Sequence, residues 1–152
     1  MTGSGENRAL YEQVILEHNK KPRNFREMED ADQTIEAYNP LCGDHFTVYL
    51  KMDGDTVSDV SFMGSGCAIS KASASLMTTL MKGQSRENAE ATFHQLHDLL
   101  TSNPEDPVDE EGLGKLRVLA GVREYPVRIK CATLAWHALI SAFEGKDAVS
   151  TE

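Results

Sequence analysis

The chain has 152 residues, 40% apolar and 26% charged, proportions that suit a soluble globular protein long enough to bury a core of its own as one domain. Twenty-four acidic against 15 basic residues give a net charge of −9; with no basic stripe to override it, that total argues against nucleic acid as a partner. No apolar run is long enough for a bilayer, and Met1–Asn7 lacks the basic-then-apolar order of a secretory leader, so no membrane association is expected and the expected compartment is cytoplasmic, where thiols stay reduced.

In chain order, Arg8–Asn19 places Leu10, Val14 and Ile15 on one helical face beside Tyr11, and Pro22 and Asn24 end that helix. A polar connector leads to a short extended stretch, Thr34–Tyr38. His45–Met52 alternates, with Phe46, Val48, Leu50 and Met52 pointing one way, and Asp53-Gly54 turns the chain into Thr56–Met63, the pattern of a β-hairpin. The remainder is helical. Ile69, Ala72, Leu76 and Leu80 recur at helical spacing before Gly83, and Ser85 is placed to cap a helix with Ala89, Phe93, Leu96 and Leu100 on its apolar face. Asn103–Gly112 reads as an acidic loop and Leu113–Ala120 as a short helix. Pro126 opens the last helix, whose buried face is Ile129, Ala132, Trp136, Leu139 and Phe143. Strands first and helices afterwards predict an α+β domain, with a small antiparallel three-stranded sheet covered on one face by helices. The single domain is expected to fill residues 1–152, with 1–7 and 146–152 as disordered tails.

Three cysteines in a reduced compartment point to metal ligation, a reactive thiol or simple core filling rather than to disulfides. Each sits at a junction. Cys42 lies in a turn beside Gly43, which lets Cys42 and Asp44 face one point. Cys67 follows Gly64-Ser65-Gly66 and opens a helix, where unpaired N–H groups favour a thiolate. Cys131 is in the opening turns of the last helix near Arg128 and Lys130, cations that also favour a thiolate. Three thiolates and a carboxylate complete a tetrahedral shell for zinc, but the spacings match no short zinc-finger pattern. Core filling for the cysteines and a turn role for Asp44 stay open on the residues alone.

Asn39-Pro40-Leu41-Cys42-Gly43-Asp44, then Gly64-Ser65-Gly66-Cys67-Ala68-Ile69-Ser70, then Arg128-Ile129-Lys130-Cys131-Ala132-Thr133-Leu134-Ala135-Trp136 resemble, in order, the three motifs of the U-type iron–sulfur assembly proteins (IscU, SufU and the NifU N-terminal domain). Leu10-Tyr11 through Pro22-Arg23-Asn24 extends the resemblance to nearly the whole chain. The scaffold branch, similar to IscU, carries a histidine just before the third cysteine and a Leu-Pro-Pro-Val-Lys segment bound by a dedicated Hsp70 chaperone. Here Lys130 and Glu124-Tyr125-Pro126-Val127-Arg128 take those places, and a stretch from about Asn103 to Arg123 is additional. All three departures point to the SufU branch and away from the chaperone partnership.

That resemblance implies a tightly bound Zn²⁺ held by Cys42, Asp44, Cys67 and Cys131, and a sulfurtransferase role as persulfide acceptor for a SufS-like cysteine desulfurase, alongside other iron–sulfur assembly proteins. Cys42 is then the catalytic thiol and resting fourth ligand, free to swing out because it sits in a glycine-flanked loop. By its cation chemistry, Arg128 is expected as the catalytic cation that steadies the freed thiolate, the alternative being a solvated first-turn charge. Asp44, a harder and weaker zinc ligand than a thiolate, would keep the site exchangeable. Two alternatives accompany this: a non-enzymatic scaffold that builds a [2Fe–2S] cluster from iron on the same ligands, and a zinc-stabilised binding module without chemistry. Among the histidines, His94 and His97 read as a solvated helix face and His18 as a charge suited to a helix end. His45 is sent opposite to Asp44 by strand alternation, and His137 packs or faces water.

Overall fold

A computed structural model describes residues 3–107 and 113–150. Along the chain run α1 (Gly3–Lys20), β1 (Gln33–Asn39), β2 (Asp44–Asp53), β3 (Thr56–Ser65), α2 (Ala68–Met81), α3 (Arg86–Thr101), a 3₁₀ segment (Gly114–Glu124), α4 (Pro126–Phe143) and β4 (Ala148–Ser150). Strand alternation does the work predicted for it: Ile35, Ala37, Phe46, Val48, Leu50, Val57, Val60 and Phe62 are all buried on one sheet face. Over that face α4 covers β1 and β2 while α2 covers β3, and α1 packs on α2. The α+β arrangement with helices on one face is therefore as expected.

The sheet itself differs from expectation. It has four strands in the order β3-β2-β1-β4, and it is mixed rather than antiparallel, because β4 pairs parallel with β1 (Glu36↔Ala148, Ala37↔Val149, Tyr38↔Ser150). The segment expected to be a tail is thus a strand. Its physical basis lies at the end of α4, where Gly145 takes φ 79° and the N–H groups of Gly145 and Lys146 close back on the carbonyls of Ala142 and Ser141. This helix-ending turn sends the chain back along β1, and Glu36 N–H bonds the carbonyl of Asp147 at 2.9 Å. A strand of three residues is too short to show alternation.

Smaller differences follow the same logic. α1 begins at Gly3, inside the other stretch expected as a tail; Met1, Thr2, Thr151 and Glu152 lie outside the described residues. The short helix expected over Leu113–Ala120 is a 3₁₀ segment that continues to Glu124. Of the acidic loop, residues 108–112 fall outside the described residues. The carbonyls of Asn103, Pro104 and Asp106 all accept from the Arg123 guanidinium at 3.0–3.1 Å. His18 is buried rather than a charged helix end. Its Nδ1 lies 2.7 Å from Ser75 Oγ, and burial, with Arg23 adding, pushes its pKa down.

The two helices that deliver cysteines are tied by a buried bridge. Trp136 Nε1 donates to Ser73 Oγ at 3.2 Å, and Ser73 Oγ donates to the Ala132 carbonyl at 2.5 Å. Ser73→Ala would strand the indole N–H in the core, at a cost of about 1–3 kcal/mol. The expected result is a lower urea midpoint at unchanged m value; an unmoved midpoint would show that this bridge does not hold α2 to α4.

Candidate metal centre

The site is assembled where the β1–β2 turn, the end of β3 and the start of α4 meet. Asn39 and Asp44 form the closing pair of the β1–β2 ladder, and Cys42 N–H returns to the Asn39 carbonyl at 3.2 Å. Gly43 completes the turn at φ 72°, a left-handed conformation that side chains disfavour. Cys42 is left half-buried on the turn, while Asp44, first residue of β2, is turned inward and buried. His45 accordingly faces the other way: its Nε2 is 2.5 Å from Glu36 Oε2 and its ring stacks on Tyr38.

Gly64-Ser65-Gly66 exists for close approach. A Cβ on Gly64 would lie 2.3 Å from the His45 carbonyl oxygen, and one on Gly66 would lie 2.6 Å from Asp44 Oδ1 and 2.6 Å from Ser70 Oγ. With that space clear, Cys67 N–H reaches Asp44 Oδ1 at 2.9 Å. Cys67 is also the N-cap of α2, its Sγ 3.5 Å from both the Ser70 N–H and Ser70 Oγ.

Cys131 arrives from α4 fully buried, with its Sγ 3.2 Å from Cys42 Sγ and all three cysteines free. Cys42 Sγ, an Asp44 carboxylate oxygen and Cys131 Sγ lie within 4.8 Å of one another, a group that could hold a metal ion. Cys67 is not within that group; its main chain holds Asp44 while its sulfur faces Ser70. The donor set can be tested against a cation. Asp44 Oδ2 is buried with no hydrogen-bond partner, and a buried carboxylate oxygen left alone is costly unless a cation or donor meets it. Two sulfurs and a carboxylate oxygen converge as three of the four donors that zinc takes, so the residues fit.

Electrostatics correct one expectation, that the nearby cations favour a Cys131 thiolate. Burial first, then the hydrogen bond with Cys42 and the nearby Cys67 and Asp44, pushes the Cys131 thiol well up from its ordinary value. The thiol therefore holds its proton at neutral pH, and metal binding must displace it. Arg128 is exposed at the mouth. Its guanidinium pKa is raised, first by a hydrogen bond to Cys131 and then by electrostatic interaction with Cys67, Cys131 and Cys42. The remaining histidines are elsewhere. His94, His97 and His137 surround the ring of Phe93, and burial pushes the His137 pKa down.

A model of the NifU-like N-terminal domain matches residues 10–132, a span that contains every residue of this centre. The chain belongs to that family. Among relatives of this NifU-like domain, the zinc-dependent sulfurtransferase SufU of Bacillus subtilis is 44% identical over 130 residues, 86% of each chain. The iron–sulfur cluster assembly scaffold protein IscU of Streptococcus pyogenes is 39% identical, covering 89% of this chain and 83% of that one. A crystal structure from Fervidobacterium islandicum AW-1, of a protein proposed as an iron–sulfur cluster assembly scaffold for the SUF system, superposes with a TM-score of 0.76. It is 32% identical over 83% of this chain and 90% of that one.

Three residues that the sequence reading gave no role, Asn39, Gly66 and Ser70, prove to be structural members of the centre; all lie inside the quoted motifs, and only the packing separates them from their neighbours. Gly66→Ala is expected to displace the Asp44 carboxylate and weaken metal binding at least tenfold, on the scale of second-shell changes, as read by chelator competition. Wild-type affinity would mean that Asp44 is not a ligand. In metal-free protein, iodoacetamide should label half-buried Cys42 and Cys67 before buried Cys131, as peptide mapping over time would show; Cys131 labelled first would contradict this packing.

Proposed function

We propose that this chain is a zinc-dependent sulfurtransferase that accepts persulfide sulfur from a cysteine desulfurase and hands it on for iron–sulfur cluster assembly. The observation that carries the reading is the asymmetry of the centre: Cys42 is half-buried on a turn, whereas Asp44 and Cys131 beside it are buried. Of the two sulfurs in this group, that of Cys42 is placed to meet a partner and that of Cys131 to stay. The name of the Bacillus subtilis relative supports this, as does Lys130, which puts no additional nitrogen ligand before Cys131.

Cys42, Asp44, Cys67 and Cys131 would hold the zinc, which supplies a Lewis acid that keeps bound thiols deprotonated at neutral pH. For Cys67 to join, its side chain turns from the Ser70 N–H while its own N–H stays on Asp44 Oδ1. The Cys42 thiolate attacks the terminal sulfur of the desulfurase persulfide. A new S–S bond forms on Cys42, the donor S–S bond breaks, and the electron pair departs on the donor cysteine as thiolate. The exchange needs no external oxidant or reductant. Arg128, exposed and interacting electrostatically with the three cysteines, steadies the Cys42 thiolate as it leaves the cluster.

The scaffold name of the Streptococcus pyogenes relative supports a second reading, assembly of a [2Fe–2S] cluster on the same residues. One experiment separates them. Incubated with a cysteine desulfurase and cysteine, the colourless zinc-loaded protein should gain one sulfur atom at Cys42, by intact mass and peptide mapping. Cys42→Ala should fold normally and fail to stimulate the desulfurase. Sulfur on Cys67 or Cys131, or full stimulation by Cys42→Ala, would end the transfer route, and a brown iron-containing protein as isolated would favour the scaffold.

A further inference from the structure

Asn39 ends β1 as a completely buried polar residue, and each part of it touches a different member of the centre. Its main-chain carbonyl accepts the Cys42 N–H at 3.2 Å. Its backbone pairs across the ladder with Asp44. Its side-chain Nδ2 donates to Cys131 Sγ at 3.5 Å, and Cys131 Sγ in turn is the donor to Cys42 Sγ at 3.2 Å. The carboxamide pays for this position: its Oδ1 is buried with no partner. An apolar residue would fill the same space without stranding a carbonyl, so the fold gains nothing from the amide itself. What the amide adds is a donor aimed at a sulfur.

We propose that Asn39 is a positioning residue of the metal centre, its carboxamide N–H serving as an outer hydrogen bond that aims the Cys131 sulfur at Cys42 and Asp44 and draws charge from it once a metal is bound. The proposal rests on the reading of Cys131 as a metal ligand. Groups outside the ligand shell that donate to a ligand fix its orientation and tune its basicity, and a donor to an ionised acceptor forms the stronger type of hydrogen bond. The chemistry at this position is one-sided. A carboxylate of the same shape would set negative charge against a thiolate and against Asp44.

The test uses the full chain loaded with cobalt(II), whose thiolate-to-metal charge-transfer band reports the electron density on sulfur. Asn39→Asp keeps the shape and the main-chain bond to Cys42 but has no N–H donor; Asn39→Ala removes the amide without adding charge. Far-UV circular dichroism of the metal-free forms identifies the variants that fold. The expected result in a folded variant is a charge-transfer band moved to longer wavelength, with cobalt and zinc affinity about tenfold to a hundredfold weaker in chelator competition. A band at wild-type energy with wild-type affinity in either folded variant overturns the role of Asn39 and leaves the metal reading standing. Wild-type protein that shows no thiolate band overturns the metal reading, and this proposal with it.

Discussion

The 2.9 Å hydrogen bond from Cys67 N–H to Asp44 Oδ1 decides the rest of the centre. It joins the first residue of β2 to the residue that caps α2, and it uses only one of the two carboxylate oxygens. The other, Oδ2, is then buried with no partner, on a carboxylate that has an oxygen within 4.8 Å of two sulfurs. A buried carboxylate oxygen in that condition is costly until a cation or a donor meets it. The glycines of the β3 end make the bond possible, since a side chain at Gly66 would stand where Asp44 Oδ1 is.

How much of this was legible in the sequence depends on whether a residue's role shows in its own spacing. The β2–β3 hairpin shows because Phe46, Val48 and Leu50 alternate around Asp53-Gly54, and all three are buried. Cys42, Asp44 and Cys131 show through their motifs, and they converge. The present position of the Cys67 sulfur does not show, because a helix-opening cysteine can serve either as a ligand or as a cap, and the choice depends on Ser70 one turn later. β4 is silent for a different reason. Ala148–Ser150 has no pattern of its own and becomes a strand only because β1 offers a partner, a tertiary effect that overrides local preference. His18 fails similarly: its place at a helix end suggests charge, and its burial against Ser75 removes it.

The names of the relatives divide between sulfur transfer and scaffolding, and the geometry shows why one architecture can be described both ways. A cluster of soft ligands around a buried carboxylate can retain zinc or receive iron. Here half-buried Cys42 is on a turn of four residues between paired strands, where it can move without breaking helical hydrogen bonds. Cys131 is fixed by a helix whose tryptophan is bonded to the neighbouring helix.

The parallel pairing of β4 has a mechanical consequence. α4, which carries Cys131, would otherwise be a lever attached to the sheet by side-chain packing alone. Because the chain returns from its far end and is stitched to β1 at Glu36, Ala37 and Tyr38, the helix is strapped to the same strand whose last residue, Asn39, lies against its cysteine. Sliding of α4 along the sheet would have to tear main-chain hydrogen bonds as well as shear side chains. The strap also moves β1 from the sheet's edge to its interior, leaving a three-residue strand outermost on that side, too short to template a stranger's strand.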